Sequence, residues 1–122
     1  MGLFDLTQIA LERALSGSAL RQTVLADNIA NANTAGFKRS DVDFQSTLAQ
    51  ALDSSSGATP TGIANLNFAQ KTDTSATMRA DGNSVDMDSE MAKLSENSVA
   101  YQALISIAHA RLSMLQSVIG SK

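Results

Sequence analysis

Steps of four and three residues from Met87 onward give Met87, Met91, Leu94, Ser98, Tyr101, Ile105, Ala108, Leu112, Leu115 and Ile119, with Ser98 the one polar member. A 3.5-residue period of this kind marks a helix that carries a seam for another helix. A flanking line of Leu104, Ile107, Met114 and Val118 widens the stripe beyond what a single partner helix covers. A second stripe lies near the other end of the chain: Leu11, Leu15, Ser18, Gln22, Leu25, Ile29 and Ala32, widened by Leu20 and Val24. It is the weaker of the two, because Ser18 and Gln22 are polar at its middle and Gly17 costs roughly 1 kcal/mol against Ala inside a helix. The two patterns predict helices from about Asp5 to Asn31 or Ala32 and from Met87 to Ile119. Asp5 and Gln8 have the spacing of a capping box, with Phe4 and Ile9 as its hydrophobic staple.

Between the stripes the period is lost. Asn28 to Phe44 reads NIANANTAGFKRSDVDF, which on spacing alone is a helix terminus and a turn, with Gly36 suited to a left-handed cap. Phe37 and Phe44 are large apolar residues in a polar setting and are expected to anchor the loop on the helices. Phe44, Leu48 and Leu52 at steps of four predict a short third helix. Asp53 to Thr77 is rich in Ser, Thr, Gly and Asn and is expected as a loop or disordered segment. Ile63, Leu66 and Phe68 suggest one short strand, and Asp81-Gly82 a turn. The fold class expected is mainly α: two long terminal helices paired as an antiparallel coiled coil, with an irregular middle holding a short helix and short β elements. Residues 1–34 with 84–122 form the helical domain, and 35–83 the loop or extended, partly disordered middle.

Composition sharpens this picture. The 122 residues are 43% hydrophobic but only 4% aromatic, and much of the apolar count is Ala, which buries little area. Such a core is thin and invites completion by partners or by further copies of the chain. Net charge is −3 with scattered Lys and Arg, which argues against nucleic-acid binding. There is no Cys, so disulfides, thiolate metal sites and cysteine catalysis are absent together. The N-terminus lacks the basic start, apolar run and cleavage site of a signal peptide, and Leu6 spoils a myristoylation start. No uninterrupted apolar run of 18 residues exists, so no membrane insertion is expected.

Candidate chemistry is sparse. Asp81, Asn83, Asp86, Asp88 and Glu90 suggest a cation loop, but EF-hand spacing from Asp81 fails at Val85, Asp86 and Ala92. Asp86 is better placed as a helix cap, with Asp88 and Glu90 in the first turn beside the positive end of the dipole. His109, the single histidine, is expected at the surface or an interface, and Tyr101 in the seam. With no phosphate loop, nucleophile elbow or metal set, neither catalysis nor a cofactor nor a metal is expected.

Two stretches carry a resemblance. Leu25 to Phe44, LADNIANANTAGFKRSDVDF, resembles the N-terminal signature of bacterial flagellar rod and hook proteins, through Asn28, Asn31, Asn33, Thr34, Gly36 and Phe37. Asp81 to Tyr101, DGNSVDMDSEMAKLSENSVAY, resembles the proximal-rod members of that family more narrowly, through Asp81, Gly82, Asn83, Val85 and Asp86. Ala35 departs from the Pro that many of the family carry after Thr34. The resemblance implies a structural subunit of the basal-body rod, a hollow torque-transmitting shaft. It implies export through the flagellar type III apparatus without a cleaved signal, and location in the periplasmic part of the basal body. Implied partners are other rod proteins, the ring-to-rod adaptor, membrane-ring and export-gate proteins, and copies of itself. The interaction seam expected for such contacts is Leu11, Leu15, Leu25, Ile29, Met91, Leu94, Tyr101, Leu104, Ile105, Leu112, Leu115 and Ile119. The stripes by themselves also allow a soluble helical hairpin that serves as a binding module or export adaptor.

Overall fold

The computed structural model describes residues 2–54 and 57–120, with side chains from residue 6 onward. Its order is α1 (Gly2–Ala30), β1 (Ser40–Val42), α2 (Phe44–Leu52), α3 (Pro60–Ala64), β2 (Gln70–Thr72) and α4 (Met87–Gly120). At about 1.5 Å per residue, α1 spans about 43 Å and α4 about 51 Å. The long helices pack against each other and run antiparallel: Ser18 meets Asn97, and Asn28, ten residues on, meets Glu90. α1 begins at Gly2, so Asp5 lies inside the helix and not at its cap. The side chains of the expected staple and box at Phe4 and Asp5 fall outside the described residues.

The core sits where α1, the β pair and α2 meet: Ala14, Val24, Val42 and Phe44, with Leu48, Phe68 and Leu104 packed on it. Phe44 and Phe68 meet edge to face at 6.1 Å, and the Arg13 guanidinium lies 5.4 Å from the Phe68 ring centre. Phe44 also explains Gly17. A Cβ on that glycine would fall 2.6 Å from Phe44 atoms, so the helix accepts a poor helix former to let the ring approach.

α2 has the expected bounds and is capped by Asp43, whose side chain accepts from the Ser46 N–H. Asp53 to Thr77 holds more structure than its composition predicts. Ile63 belongs to the helix α3, not to a strand, and the strand is Gln70–Thr72 instead of a run through Leu66 and Phe68. Thr59 accepts from the Gly62 N–H and Pro60 opens the first turn, so local capping starts a helix too short to show a period. Strand β2 pairs antiparallel with β1 in the register Ser40↔Thr72, Asp41↔Lys71, Val42↔Gln70. Ser55 and Ser56 of the expected loop lie outside the described residues.

Among the described residues, α4 contains an 18-residue window of mean hydropathy 1.2 with none of the window buried, long and apolar enough to cross a membrane by length and composition alone. It lacks the uninterrupted apolar run on which the expectation rested.

Candidate functional site

The two signature stretches, about fifty residues apart in sequence, close on each other where α1 ends. Ala30 is the last residue of α1, and the chain turns through Asn31 to Gly36, which takes φ +76°. Gly82 takes φ +80° in the opposing turn, and a Cβ there would come within 3.4 Å of the Gly36 Cα. Both positions favour glycine on backbone grounds, and Gly82 also on close approach. Across this contact the Gly36 N–H donates to the Asp81 carbonyl (2.9 Å) and the Ser84 N–H to the Phe37 carbonyl (3.0 Å). Asn83, fully buried, donates its amide to the Asn31 (2.9 Å) and Thr34 (2.7 Å) carbonyls, while its Oδ1 accepts from the Val85 N–H (2.7 Å). One side chain thereby satisfies backbone groups on both turns. The Arg79 guanidinium donates to the Ala32 carbonyl and Lys38 to the Gly82 carbonyl. Asp86 then starts α4, accepting from the Asp88 (3.2 Å) and Ser89 (3.4 Å) N–H groups.

Beneath this double turn lies a buried ionic network. Asn28 acts as a surrogate strand edge: its Oδ1 accepts from the Ser40 N–H (3.0 Å), and its Nδ2 donates to the Ser40 carbonyl (2.7 Å) and to Glu90 Oε2 (3.0 Å). Glu90 is wholly buried and pairs with the guanidinium of Arg39, itself nearly buried. Arg39 also bonds Asp73 (2.6 Å) and lies 3.4 Å from Asp41, which Arg21 holds at 2.9 Å from a neighbouring turn of α1. Two cations thus face three carboxylates from four parts of the chain. Burial alone lowers the Arg39 pKa, but its bonds to Glu90 and Asp73 more than reverse this. Burial likewise raises the Asp41 carboxyl, and the bonds that it accepts from Arg21 and from the Val42 N–H outweigh it, leaving Asp41 below its ordinary value. The Ser75 hydroxyl and N–H, then Arg39, bring Asp73 down to about 2. Glu90 was expected only beside the helix dipole; the structure places it at the centre of this network. Asp81, Asp86 and Asp88 do not join it, and among the described residues no three acidic or His side chains converge to hold a metal ion.

Midway along the helix pair the contact is polar. Buried Ser18 Oγ donates to Asn97 Oδ1 (3.2 Å), while Asn97 Nδ2 donates to the Ser18 carbonyl (2.9 Å) and to Gln22 Oε1 (2.7 Å). Gln22 in turn donates to Ser98 (2.9 Å). The polar breaks in the two stripes thus meet each other.

The expected seam residues fall into two groups. On α1, Leu11 and Leu25 are buried and Leu15 and Ile29 half-buried. On α4, Leu94, Tyr101, Leu104 and Ile105 are half-buried, while Met91, Leu112, Leu115 and Ile119 are exposed, Ile119 at 79%. Buried contact with α1 is made by Glu90 and Asn97, one heptad apart and beside the apolar line. His109 is exposed. Of the signature residues, Asn28, Asn83 and Val85 are buried, Asn31, Phe37 and Gly82 half-buried, and Asn33, Thr34, Gly36, Asp81 and Asp86 exposed. The residues that sequence reasoning missed are Arg39, Ser40, Asp73 and Asn97, and for Glu90 it missed the partners. The one signal available was a lone Arg and Glu in segments otherwise read as turn and cap.

A family profile described as "Flagella basal body rod protein" matches residues 10–38, from α1 through the first of the two facing turns, which together form a clasp between the long helices. The chain is 35% identical to the flagellar basal body rod protein FlgB of Bacillus subtilis (strain 168), covering 98% of this chain and 97% of that one. It is 32% identical to FlgB of Borrelia hermsii, over 88% of this chain and 90% of that one, and 32% identical to FlgB of Escherichia coli (strain K12), over 90% of each. With similarity at this level running through both helices and the clasp that joins them, the chain belongs to the FlgB family of flagellar basal body rod proteins.

Proposed function

We propose that the chain is a structural subunit of the flagellar basal body rod, built to pack and not to catalyse. The observation that carries this reading is similarity to rod proteins over nearly the whole chain, in a fold whose long helix leaves most of its apolar stripe uncovered. Nine of the twelve large exposed hydrophobic residues among those described lie on α4, from Met87 to Ile119. A monomer gains nothing from such a surface, and an assembling subunit does. In this reading Leu11, Leu15, Leu25 and Ile29 serve chiefly the pairing within the chain, and Met91, Leu112, Leu115 and Ile119 the contacts with neighbours. Leu94, Tyr101, Leu104 and Ile105 lie between and serve both. The neighbours are other rod proteins, the ring-to-rod adaptor, membrane-ring and export-gate proteins and further copies of the chain, in the periplasmic part of the basal body, reached without a cleaved signal.

The reaction catalysed is none: the ionisable cluster is closed on itself and serves the fold. The export-adaptor reading is not favoured, since the relatives matched over 88–98% of the chain are rod proteins. Deleting the gene is expected to abolish swimming and to leave basal bodies without a rod, with recovery when the gene is returned. Swimming deletion cells with intact basal bodies would overturn the proposal. Recovery of the protein in the soluble cytoplasm, and not with purified basal bodies, would point to the adaptor instead.

A further inference from the structure

Across residues 64–82 no residue is buried, although the chain there lies over residues that are. Ile63, before this stretch, is 1% exposed and pins α3 on α1, and Asn83, after it, is fully buried in the clasp. Between these two anchors residues 66–78 form a strap over β1. The strap meets Arg39, Val42 and Phe44, each no more than 4% exposed, through Asp73, Gln70 and Phe68. Its own Leu66, Phe68, Asp73 and Ala76 are only half-buried, and the rest of it is exposed.

The strap is held by few contacts. Asn28 takes both backbone groups of Ser40, so Ser40 faces away from β2, and the register leaves Asp41 and Lys71 as the hydrogen-bonded pair. The Asp73 N–H donates to the Arg39 carbonyl (3.0 Å), and the Asp73 carboxylate accepts from the Arg39 guanidinium (2.6 Å). β1 keeps its place without any of these. Asn28 holds Ser40, Arg21 holds Asp41, and Ser84 Oγ accepts from the Arg39 N–H (2.8 Å). The ionic network also divides at Asp73 without stranding a buried charge. Arg39 retains Glu90 and Asp41, and Asp73 retains the Ser75 N–H (2.9 Å) and hydroxyl (2.6 Å) of its own segment. At Arg13 closure is imperfect. Its guanidinium donates to the Leu66 carbonyl and lies against the Phe68 ring, yet its Nε is shut off from solvent with no hydrogen-bond partner among the described residues. Lifting the strap returns that donor to water.

We infer that residues 66–78 open and close over β1 as one unit while α1, α4 and the clasp stay joined, with Arg39 and Asp73 as the latch. A segment with little buried area and a three-residue ladder belongs to the low-stability end of a fold. Its tethers at both ends keep the open strap close by, so reclosure loses little chain entropy. Opening changes the surface of the subunit. Phe44 lines, with Ala14, Leu48 and Leu104, an open apolar groove of about 410 Å³ between α1, α2 and α4. Removing Phe68 bares a further side of Phe44, so the open form shows more of the core than the closed one. The strap thereby sets how much apolar surface the folded chain presents. The inference rests on the fold alone and stands apart from the rod reading.

Native-state hydrogen exchange tests it on the full-length protein, resolved by residue with NMR at urea concentrations below the unfolding midpoint. The Lys71 and Asp73 amides are expected to be at least about a hundredfold less protected than those of Leu25 and Asn97 in the helix pair. Their exchange should stay nearly flat with urea, because lifting the strap exposes little surface, while Leu25 and Asn97 accelerate steeply. The Asp41 amide, bonded to Lys71, should follow the strap, and the Ser40 amide, bonded to Asn28, should follow the helices. Asp73→Asn is expected to speed Lys71 and Asp41 several-fold with the urea response still flat. Equal protection and equal urea slopes in strap and helices would overturn the inference, since the chain would then open only as a whole. An Asp41 amide that follows the helices while Lys71 opens early would show fraying of single residues and overturn the unit. Strap amides indifferent to Asp73→Asn would overturn the latch.

Discussion

The two ends of the hairpin use the same pair of helices in opposite ways. At the clasp, where α1 ends and α4 begins, backbone and side-chain polar groups are tied together by Asn28, Asn83, Arg39 and Glu90, and the apolar share is small. At the other end, α4 carries Leu112, Leu115 and Ile119 exposed. The clasp is complete as it stands, and the open end is half of an interface. Buried polar networks tolerate few geometries, so they fix one register of the helices. Bare apolar stripes accept whatever complementary surface arrives. A subunit with its precision at one end and its adhesion at the other has a fixed fold and is still unfinished.

That contrast fails if both ends respond alike to mutation, and the clasp is where the largest effect is expected. Arg39→Met leaves Glu90 buried with only the Asn28 amide as partner, and breaking a buried pair on one side costs about 3–5 kcal/mol. Against a typical total of about 5–15 kcal/mol this brings the monomer close to unfolding, read as a large fall in the urea midpoint. Removing Glu90 as well, as Arg39→Met with Glu90→Leu, is expected to recover much of the loss, because the uncompensated charge is gone. A single variant that unfolds like the parent would show that the ionic network is not what closes the clasp.

Asn28→Leu comes next. It strands the Ser40 N–H and carbonyl in a buried position and takes one donor from Glu90, for about 2–3 kcal/mol. Its effect should be visible in amide exchange at Ser40 before global unfolding. Gly82→Ala follows at about 1–2 kcal/mol, from φ +80° and the approach to Gly36, and is expected to loosen the clasp without touching α4 beyond its first turns.

Which parts of this were legible in the sequence follows from what kind of interaction builds each part. The long helices, α2 and the two glycine turns announce themselves through period, caps and backbone demands that are local. The antiparallel pairing follows from two amphipathic stripes and a short chain. Arg39, Asp73 and Glu90 are local to nothing: they lie in three separate segments, and only the closed fold brings them together. Asn97 was passed over because the apolar line runs through Ser98 beside it. The helix contact uses the polar neighbour at mid-length, where a hydrogen-bonded layer of Ser18, Gln22 and Asn97 specifies register more sharply than leucines do. α3 was missed because five residues hold no period, although Thr59-Pro60 is a sound start signal.

Acid tests the same comparison more gently. Asp73 and Asp41 have folded pKa values below their ordinary ones, so both hold charge more readily in the folded chain than in the unfolded one. Their contribution is full above the unfolded value of about 4. It is lost as pH falls through the folded values, toward about 2 for Asp73. The urea midpoint is therefore expected to be level from about pH 7 to about 5 and to drop between about pH 4 and 2. Asp73→Asn should remove part of that drop. A midpoint that rises on acidification would contradict the network's charge assignment.

The smallest effect on the folded monomer carries the most information. Leu112→Asp alters a half-exposed residue in the C-terminal part of α4, and exposed substitutions usually move stability by no more than about 0.5 kcal/mol. Melting and far-UV circular dichroism of the variant should match the parent. Placed in the deletion strain, the same variant is expected to give no swimming, because a carboxylate in an apolar contact between subunits has no partner. Leu104→Asp sharpens the point from the other side: Leu104 packs on the core as well as facing the groove, so its variant should lose stability and assembly together. If Leu112→Asp cells swim normally, the exposed stripe is not an interface and the open end of the hairpin is only surface. If the variant instead unfolds, α4 depends on its exposed C-terminal stripe for its own stability, and the division between a finished end and an unfinished one disappears.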